Sequence, residues 1–269
     1  MDNSILNTIM SFIAGSAGVE IVKSLYPELK QYVSQRRDSK LVFGENIGPI
    51  LKASEELYGK LLSLSEEDFI PLYKNTNDTA AINNRRYVCY LFAQFWAQLE
   101  YIRIQNKHTY VSKTKKGREL LKFIATCESR KYRILDRYEQ RIIGETMING
   151  ANQYFKIMSL HEFLSHFETP NSSINKWIIL LEETLISSKD KQQKQRILRY
   201  GIIINALIEH FDPNHKIVYQ RKSYSNKLSN NSYRILKYDL FQNFLPFIKN
   251  TERLIGKKKS IPPNIAIKR

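Results

Sequence analysis

Between about residues 84 and 105, Val88, Leu91, Phe92, Phe95, Trp96, Leu99 and Ile102 recur at steps of three and four. That spacing puts them on one face of an α-helix. A face this apolar and aromatic reads as core rather than as a cofactor or base-stacking surface, so other helices must cover it. Helical periodicity recurs along the chain, and 10 Gly and 8 Pro in 269 residues are too few for an all-β fold rich in tight turns. The expected fold is therefore all-α and bundle-like, with one short β-hairpin near 216–236, where Ile217-Val218-Tyr219 is strand-like. The length suffices to bury a real core.

Three regions are expected: a hydrophobic helical segment over 1–40, a helical domain over 41–256 and a basic, disordered tail over 257–269. Pro27 should divide the first segment. Pro49 suits the first position of a helix running to about Ser63, and Ser63-Leu64-Ser65-Glu66 has the form of a capping box opening a short helix through Phe69. Residues 75–84 are polar and loop-like. Helices are expected at about 118–128 and 130–149. Ser172 or Ser173 should cap one through Leu185, and Asp190 another that ends at Asp212-Pro213-Asn214. Ser223 to Ser232 reads as loop, and a last helix should begin near Asp239. Cys89 and Cys127 fall in apolar helical patterns and read as small core residues in a reducing compartment.

The N-terminus leaves three readings open. Ser4 to Val19 carries no charge and contains the small-residue run Ala14-Gly15-Ser16-Ala17-Gly18, but Glu20 interrupts before a spanning length is reached. Lys23, Lys30, Arg36, Arg37 and Lys40 follow, as on a cytoplasmic side. Residues 4–25 are thus a packing helix, an interfacial or self-associating helix, or a weak membrane span. The localisation expected is cytoplasmic, with inner-membrane association under the last two readings and a homo-oligomer under the second.

With 42 Lys+Arg against 26 Asp+Glu, the formal net charge is +16. Such a surface favours an anionic partner, nucleic acid or anionic lipid. No metal-site, phosphate-loop or triad motif accompanies the charge, and no cofactor is expected. The basic residues gather in three patches. The first holds Lys107, Lys113, Lys115, Lys116, Arg118 and Lys122. The second holds Arg130, Lys131, Arg133, Arg137 and Arg141. The third holds Lys216, Arg221, Lys222, Lys227, Arg234 and Lys237, interleaved with Tyr219, Tyr224, Tyr233 and Tyr238. Lysine or arginine beside tyrosine can neutralise phosphates and stack bases. The nucleic-acid-binding candidates are therefore Lys113, Lys115, Lys116, Arg118, Arg221, Lys222, Tyr224 and Lys227. In the second patch Arg133, Arg137 and Arg141 would share one helix face, where like charges repel. They need either a ligand or an inward salt-bridge network with Asp136, Glu139 or Glu145.

Other constellations are weaker. His161 and His166 are five apart, ~140° around a helix, which is not the i, i+4 spacing of a zinc helix. Ser159-Leu160-His161-Glu162 is instead a capping box. Glu209-His210 through His215 gathers ligand types at a helix end, with no second cluster to complete a zinc set; it reads as a helix stop with exposed histidines.

Arg103 and His108 are separated as in the Arg-x4-His motif and so resemble helical ribonucleases of the HEPN type. The resemblance implies that Arg103 would hold the phosphate and His108 would move a proton. The polar residue usual after the arginine is Ile104 here. A second resemblance rests on Ala53-Ser54-Glu55-Glu56-Leu57-Tyr58, on Tyr90 through Glu100, on Tyr132-Arg133-Ile134 with Glu139 through Glu145, and on Leu207 through Pro213. Over about 50–215 the chain resembles a widespread group of bacterial helical proteins with an N-terminal hydrophobic helix and no established activity. It implies a helical cytosolic region after that helix and carries over no catalytic residue. The function expected is a non-catalytic binding or adaptor module that uses basic surfaces on an anionic partner. A part in a multi-protein system such as phage defence is compatible with it, although no residue argues for one. The alternative is a ribonuclease using Arg103 and His108.

Overall fold

The aromatic stripe lies in the middle of a helix longer than its pattern, Thr79–Ile104, and every residue of the stripe is buried. The computed structural model of the chain describes residues 16–74, 78–104, 111–150, 156–167, 169 and 172–256. In chain order the helices are α1 (Ser16–Glu66), α2 (Ile70–Tyr73), α3 (Thr79–Ile104), α4 (Lys115–Cys127) and α5 (Arg137–Thr146). Two short strands follow, β1 (Ile148–Asn149) and β2 (Lys156–Ile157), antiparallel with Ile148 opposite Ile157. Then come α6 (Leu160–Ser165), α7 (Ser173–Ile186), α8 (Lys191–Phe211), α9 (Asn230–Ile235) and α10 (Thr251–Ile255). A π-helical stretch, Leu236–Phe244, continues α9. The fold is an all-α bundle with one short hairpin.

Burial on α3 goes well beyond one stripe. Cys89, Tyr90, Ala93 and Ala97 are buried as well, because α1 and α5 both pack against this helix. α8 packs in turn on α1, and residues 201–208 of α8 are buried without a break. Cys89 and Cys127 are buried free thiols in this core.

Several boundaries differ from the sequence reading. α1 runs unbroken through Pro27 and Pro49. Pro49 and Glu45 are both exposed, so the Glu45 carbonyl that loses its helical donor is free to meet water. Ser63 to Glu66 closes α1 rather than opening a helix, and Asp68 and Phe69 then turn the chain in the left-handed region. α3 starts inside the predicted 75–84 loop, where the Asp78 carboxylate accepts from the Ala81 amide at 3.3 Å. Residues 130–136 are turn, not helix. α5 begins only after Asp136, whose amide donates to Glu139 Oε2 at 2.7 Å, so Arg133 does not share a helix face with Arg137 and Arg141. The caps expected at Ser159 and Asp190 are present.

The hairpin is at 148–157 and not near 216–236. The amides of Lys216, Ile217 and Val218 all donate to the Asp212 carboxylate, at 2.8, 2.8 and 3.0 Å, which leaves them none for a strand ladder. These three amides outweigh burial and hold Asp212 below the usual carboxylate range. α9 begins at Asn230 because Ser229 Oγ accepts from the Ser232 amide. The expected segment over 4–25 and the tail over 257–269 lie largely or wholly outside the described residues. Among the described residues no helix is long and apolar enough to cross a membrane.

Candidate nucleic-acid interface

α8 ends at Phe211, and the Asp212 turn swings the following residues back along α1 and α8. That path is fixed by aromatic residues. Tyr58 Oη of α1 donates to the Lys222 carbonyl at 2.9 Å, and Tyr224 Oη donates to the Leu198 carbonyl at 3.0 Å. The two rings pack with centroids 5.4 Å apart. Tyr224 is 2 % exposed, so its aromatic face is core and not a base-stacking surface. The structure thus removes Tyr224 from the expected contact set while using it to hold Arg221 and Lys222 at the surface.

Two cavities meet at the end of α8. The larger, about 580 Å³, is bounded by Lys115, Lys116 and Glu119 of α4, by Glu209 and His210 of α8, and by residues 247–250, 253 and 254. The smaller, about 360 Å³, is bounded by Asn205, Gln220, Arg221, Lys222 and Ser223. Glu209, Arg253 and Leu254 belong to both walls, so the two form one groove divided by the Arg253–Glu209 ion pair at 3.2 Å. Two basic segments more than a hundred residues apart in sequence, Lys115-Lys116 and Arg221-Lys222, are brought to its two ends.

The groove's acids are already matched. His210 Nε2 lies 2.9 Å from Glu119 Oε2, and His215 Nε2 lies 3.3 Å from Glu209 Oε1. Both histidines are half-buried rather than exposed as the sequence suggested. The His210 ring sits between Phe211 and Phe247, with centroids 4.8 and 5.0 Å away. Lys115, Lys116 and Lys249 border the same cavity and have no carboxylate partner among the described residues. Phe247 and Ile248 supply an apolar wall beside them. The arrangement sets lysine ammonium groups beside an apolar wall in one concave groove.

The remaining candidates are placed as follows. Arg221 pairs with Glu55, and its guanidinium lies across Gly59, where a Cβ would come within 2.5 Å of it. Arg118 is exposed and donates to the Ser112 carbonyl at 3.1 Å. Lys113 is exposed on the turn before α4. Lys227 borders a different cavity, with Lys189, Lys191 and Lys194.

Of the second basic patch, Arg137 and Arg141 turn toward a buried carboxylate, while Arg130 and Lys131 are exposed. That carboxylate belongs to a residue the sequence reading did not single out, Glu128, which is 6 % exposed. Glu128 accepts from Arg103, from Arg137 Nε at 2.9 Å and from Arg141 Nη2 at 3.2 Å. Burial pushes its carboxyl up, but Arg103 and Arg141 outweigh that and hold it below the usual range. Arg133 pairs instead with Asp136. Arg103 also pairs with Glu100, so both of its terminal nitrogens face carboxylates. His108 lies outside the described residues. His161 is exposed, and His166 Nδ1 is hydrogen-bonded to Ser172 Oγ at 2.9 Å. Among the described residues no group of three or more His, Cys, Asp and Glu is placed to hold a metal ion.

Sequence reasoning found Lys115, Lys116, Arg221 and Lys222 from charge alone. It missed Glu119, which meets α8 through His210, and Lys249, Arg253 and Phe247, which reach the groove only through the chain's return past α8. Asn205, the one polar residue in the buried run of α8, was a readable signal that a cavity opens there. No protein-family model, curated protein or solved structure matches the chain.

Proposed function

We propose that this chain is a non-catalytic binding module, of the bacterial helical group it resembles, that takes single-stranded nucleic acid along the groove at the end of α8. The observation that carries the reading is the convergence of Lys115, Lys116 and Lys249 with Arg221 and Lys222 on two adjoining cavities. A concave groove with an apolar wall suits unpaired bases and a flexible phosphate chain. It suits a planar lipid surface less well, because a bilayer meets basic side chains on a flat or convex face. Arg103, the phosphate-holding residue of the ribonuclease alternative, is held by Glu100 and Glu128, and this favours binding over cleavage.

The test is fluorescence anisotropy with labelled single-stranded RNA and DNA, beside vesicles of anionic lipid, over a series of salt concentrations. Binding that weakens steeply with salt and is lost in Lys115→Gln/Lys116→Gln supports the reading. Preference for vesicles, or binding indifferent to that variant, overturns it. Cleavage of the RNA that vanishes in His108→Ala would restore the ribonuclease alternative.

A further inference from the structure

We propose that a separate cavity, where the turn after α1 meets the start of α8, binds a compact anion carrying a diphosphate group. Its volume is about 290 Å³, and it shares no residue with the groove. Four lysines border it: Lys189, Lys191, Lys194 and Lys227. One carboxylate faces them, Asp68, which lies 2.7 Å from Lys194 Nζ. The other three ammonium groups have no carboxylate partner among the described residues. Like charges gathered round one hollow repel each other, and a bound polyanion removes that cost.

The neutral polar groups of the site are already committed, so charge alone selects the ligand. Gln195 is used at both ends: Nε2 donates to the Lys227 carbonyl at 2.9 Å, and Oε1 accepts from the Ser229 amide at 2.8 Å. Ser65 Oγ donates to the Leu62 carbonyl. Asp190, beside Lys189 and Lys191, accepts from the amides of Gln192 and Gln193 through Oδ2 and makes no ion pair with the lysines among the described residues. The aromatic residue at the cavity, Phe69, is 1 % exposed and offers no face for a base. The volume is at the bottom of the range for ligand pockets, too small to enclose a whole nucleotide with its base. Several phosphoryl charges in a small space match these walls. Gln195 also ties the Lys227 segment to α8, which holds the lysines of two segments around the hollow.

The diphosphate could be free or the end of a nucleotide, and calorimetric titration separates the two. The full chain is titrated at constant ionic strength with pyrophosphate, orthophosphate, sulfate and ADP. Pyrophosphate should bind at one site per chain, at least ten-fold more tightly than orthophosphate or sulfate. ADP binding as tightly as pyrophosphate identifies a nucleotide's end as the ligand, and ADP binding much more weakly identifies free diphosphate. Lys191→Gln/Lys227→Gln should weaken pyrophosphate binding ten-fold or more. Asp68→Asn should tighten it, since asparagine tolerates the left-handed backbone there and releases Lys194. Lys116→Gln/Lys249→Gln, in the groove, should leave it unchanged. No saturable heat, equal affinity for sulfate, or equal weakening by the groove variant would overturn the proposal. Circular dichroism and melting of each variant establish that it folds, as substitution of exposed lysines allows.

Discussion

The indole Nε1 of Trp96 donates to the hydroxyl of Tyr200 at 2.8 Å, joining α3 to α8 where both are buried. Phe92 and Phe95 pack their rings on the same tyrosine, at 5.9 and 6.4 Å. Trp96→Ala removes the ring and the donor together. It should cost about 3–5 kcal/mol. Trp96→Phe keeps most of the volume and removes one hydrogen bond from the Tyr200 hydroxyl, which keeps its bond with the Cys127 thiol, for about 0.5–1.5 kcal/mol. Denaturant melts of the two variants beside the parent check both values, and a Trp96→Ala protein that melts like the parent would contradict the core assignment.

Glu128 gathers three guanidinium groups at the end of α4. Removing the acceptor leaves Arg103 with Glu100 alone and takes away the charged hydrogen bonds of Arg137 and the partly exposed Arg141, so Glu128→Ala should cost about 1.5–3 kcal/mol. The loss should far exceed that of Arg137→Ala, because Arg137 is 58 % exposed. Chemical denaturation of the two single variants gives the comparison.

Glu100 sits beside this network with its carboxyl pushed up to about 7 by burial, against the pull of Arg103. Its ordinary value is 4.5, so between pH 4.5 and 7 the unfolded chain releases a proton that the folded chain keeps. The group's contribution is therefore fully present below about pH 4.5 and is lost as pH rises through 7. Glu100→Gln removes that loss. Its melting temperature relative to the parent should climb from pH 4.5 to 7 and level off above. A difference that stays constant over this range would show that Glu100 is ionised throughout.

What the sequence made legible follows from how local each feature is. The stripe Val88 to Ile102 and the caps at Ser159 and Asp190 depend on neighbours within a turn or two, and they stand where the pattern put them. Pro49 did not break α1, because the packing of residues 50–64 onto α3 and α8 outweighs one lost hydrogen bond at an exposed position. Ile217-Val218 has strand-like residues, but Asp212 takes their amides first. The ion pairs were the least readable. Glu128 with Arg103, and Glu55 with Arg221, are separated by 25 and 166 residues, and no helical spacing announces such pairs. The groove was half visible for the same reason: its lysines stand out as charge, while its wall is assembled from a distant segment.

If Lys115 and Lys116 each meet a phosphate of a single strand, neutralising them changes more than affinity. Each lost phosphate contact should lower the magnitude of the log affinity against log salt slope by about 0.7. Lys115→Gln/Lys116→Gln should therefore flatten the slope by about 1.4 in total. A variant that binds more weakly with an unchanged slope would place the two lysines away from the backbone of the bound strand.

Gly201 explains how the fold keeps the second end of the groove in place. It lies within the buried run of α8, directly under Tyr224, and a Cβ built there would fall 1.6 Å from the Tyr224 hydroxyl. That hydroxyl is tied to the Leu198 carbonyl, and the ring rests on Tyr58, so it cannot swing aside without leaving its seat. Gly201→Ala gains helix propensity, about 1 kcal/mol, but overpacks the core at a cost of about 1–3 kcal/mol. The cost should dominate, and its main effect should be local. Expelling Tyr224 frees the segment that carries Arg221 and Lys222, while α3 and α5 keep their packing. Limited proteolysis should then cut Gly201→Ala within 219–228 faster than the parent, with little change in helix content. Nucleic-acid affinity should fall as it does for Arg221→Gln/Lys222→Gln. Equal cleavage rates in variant and parent would mean that Tyr224 is not what anchors this end of the groove.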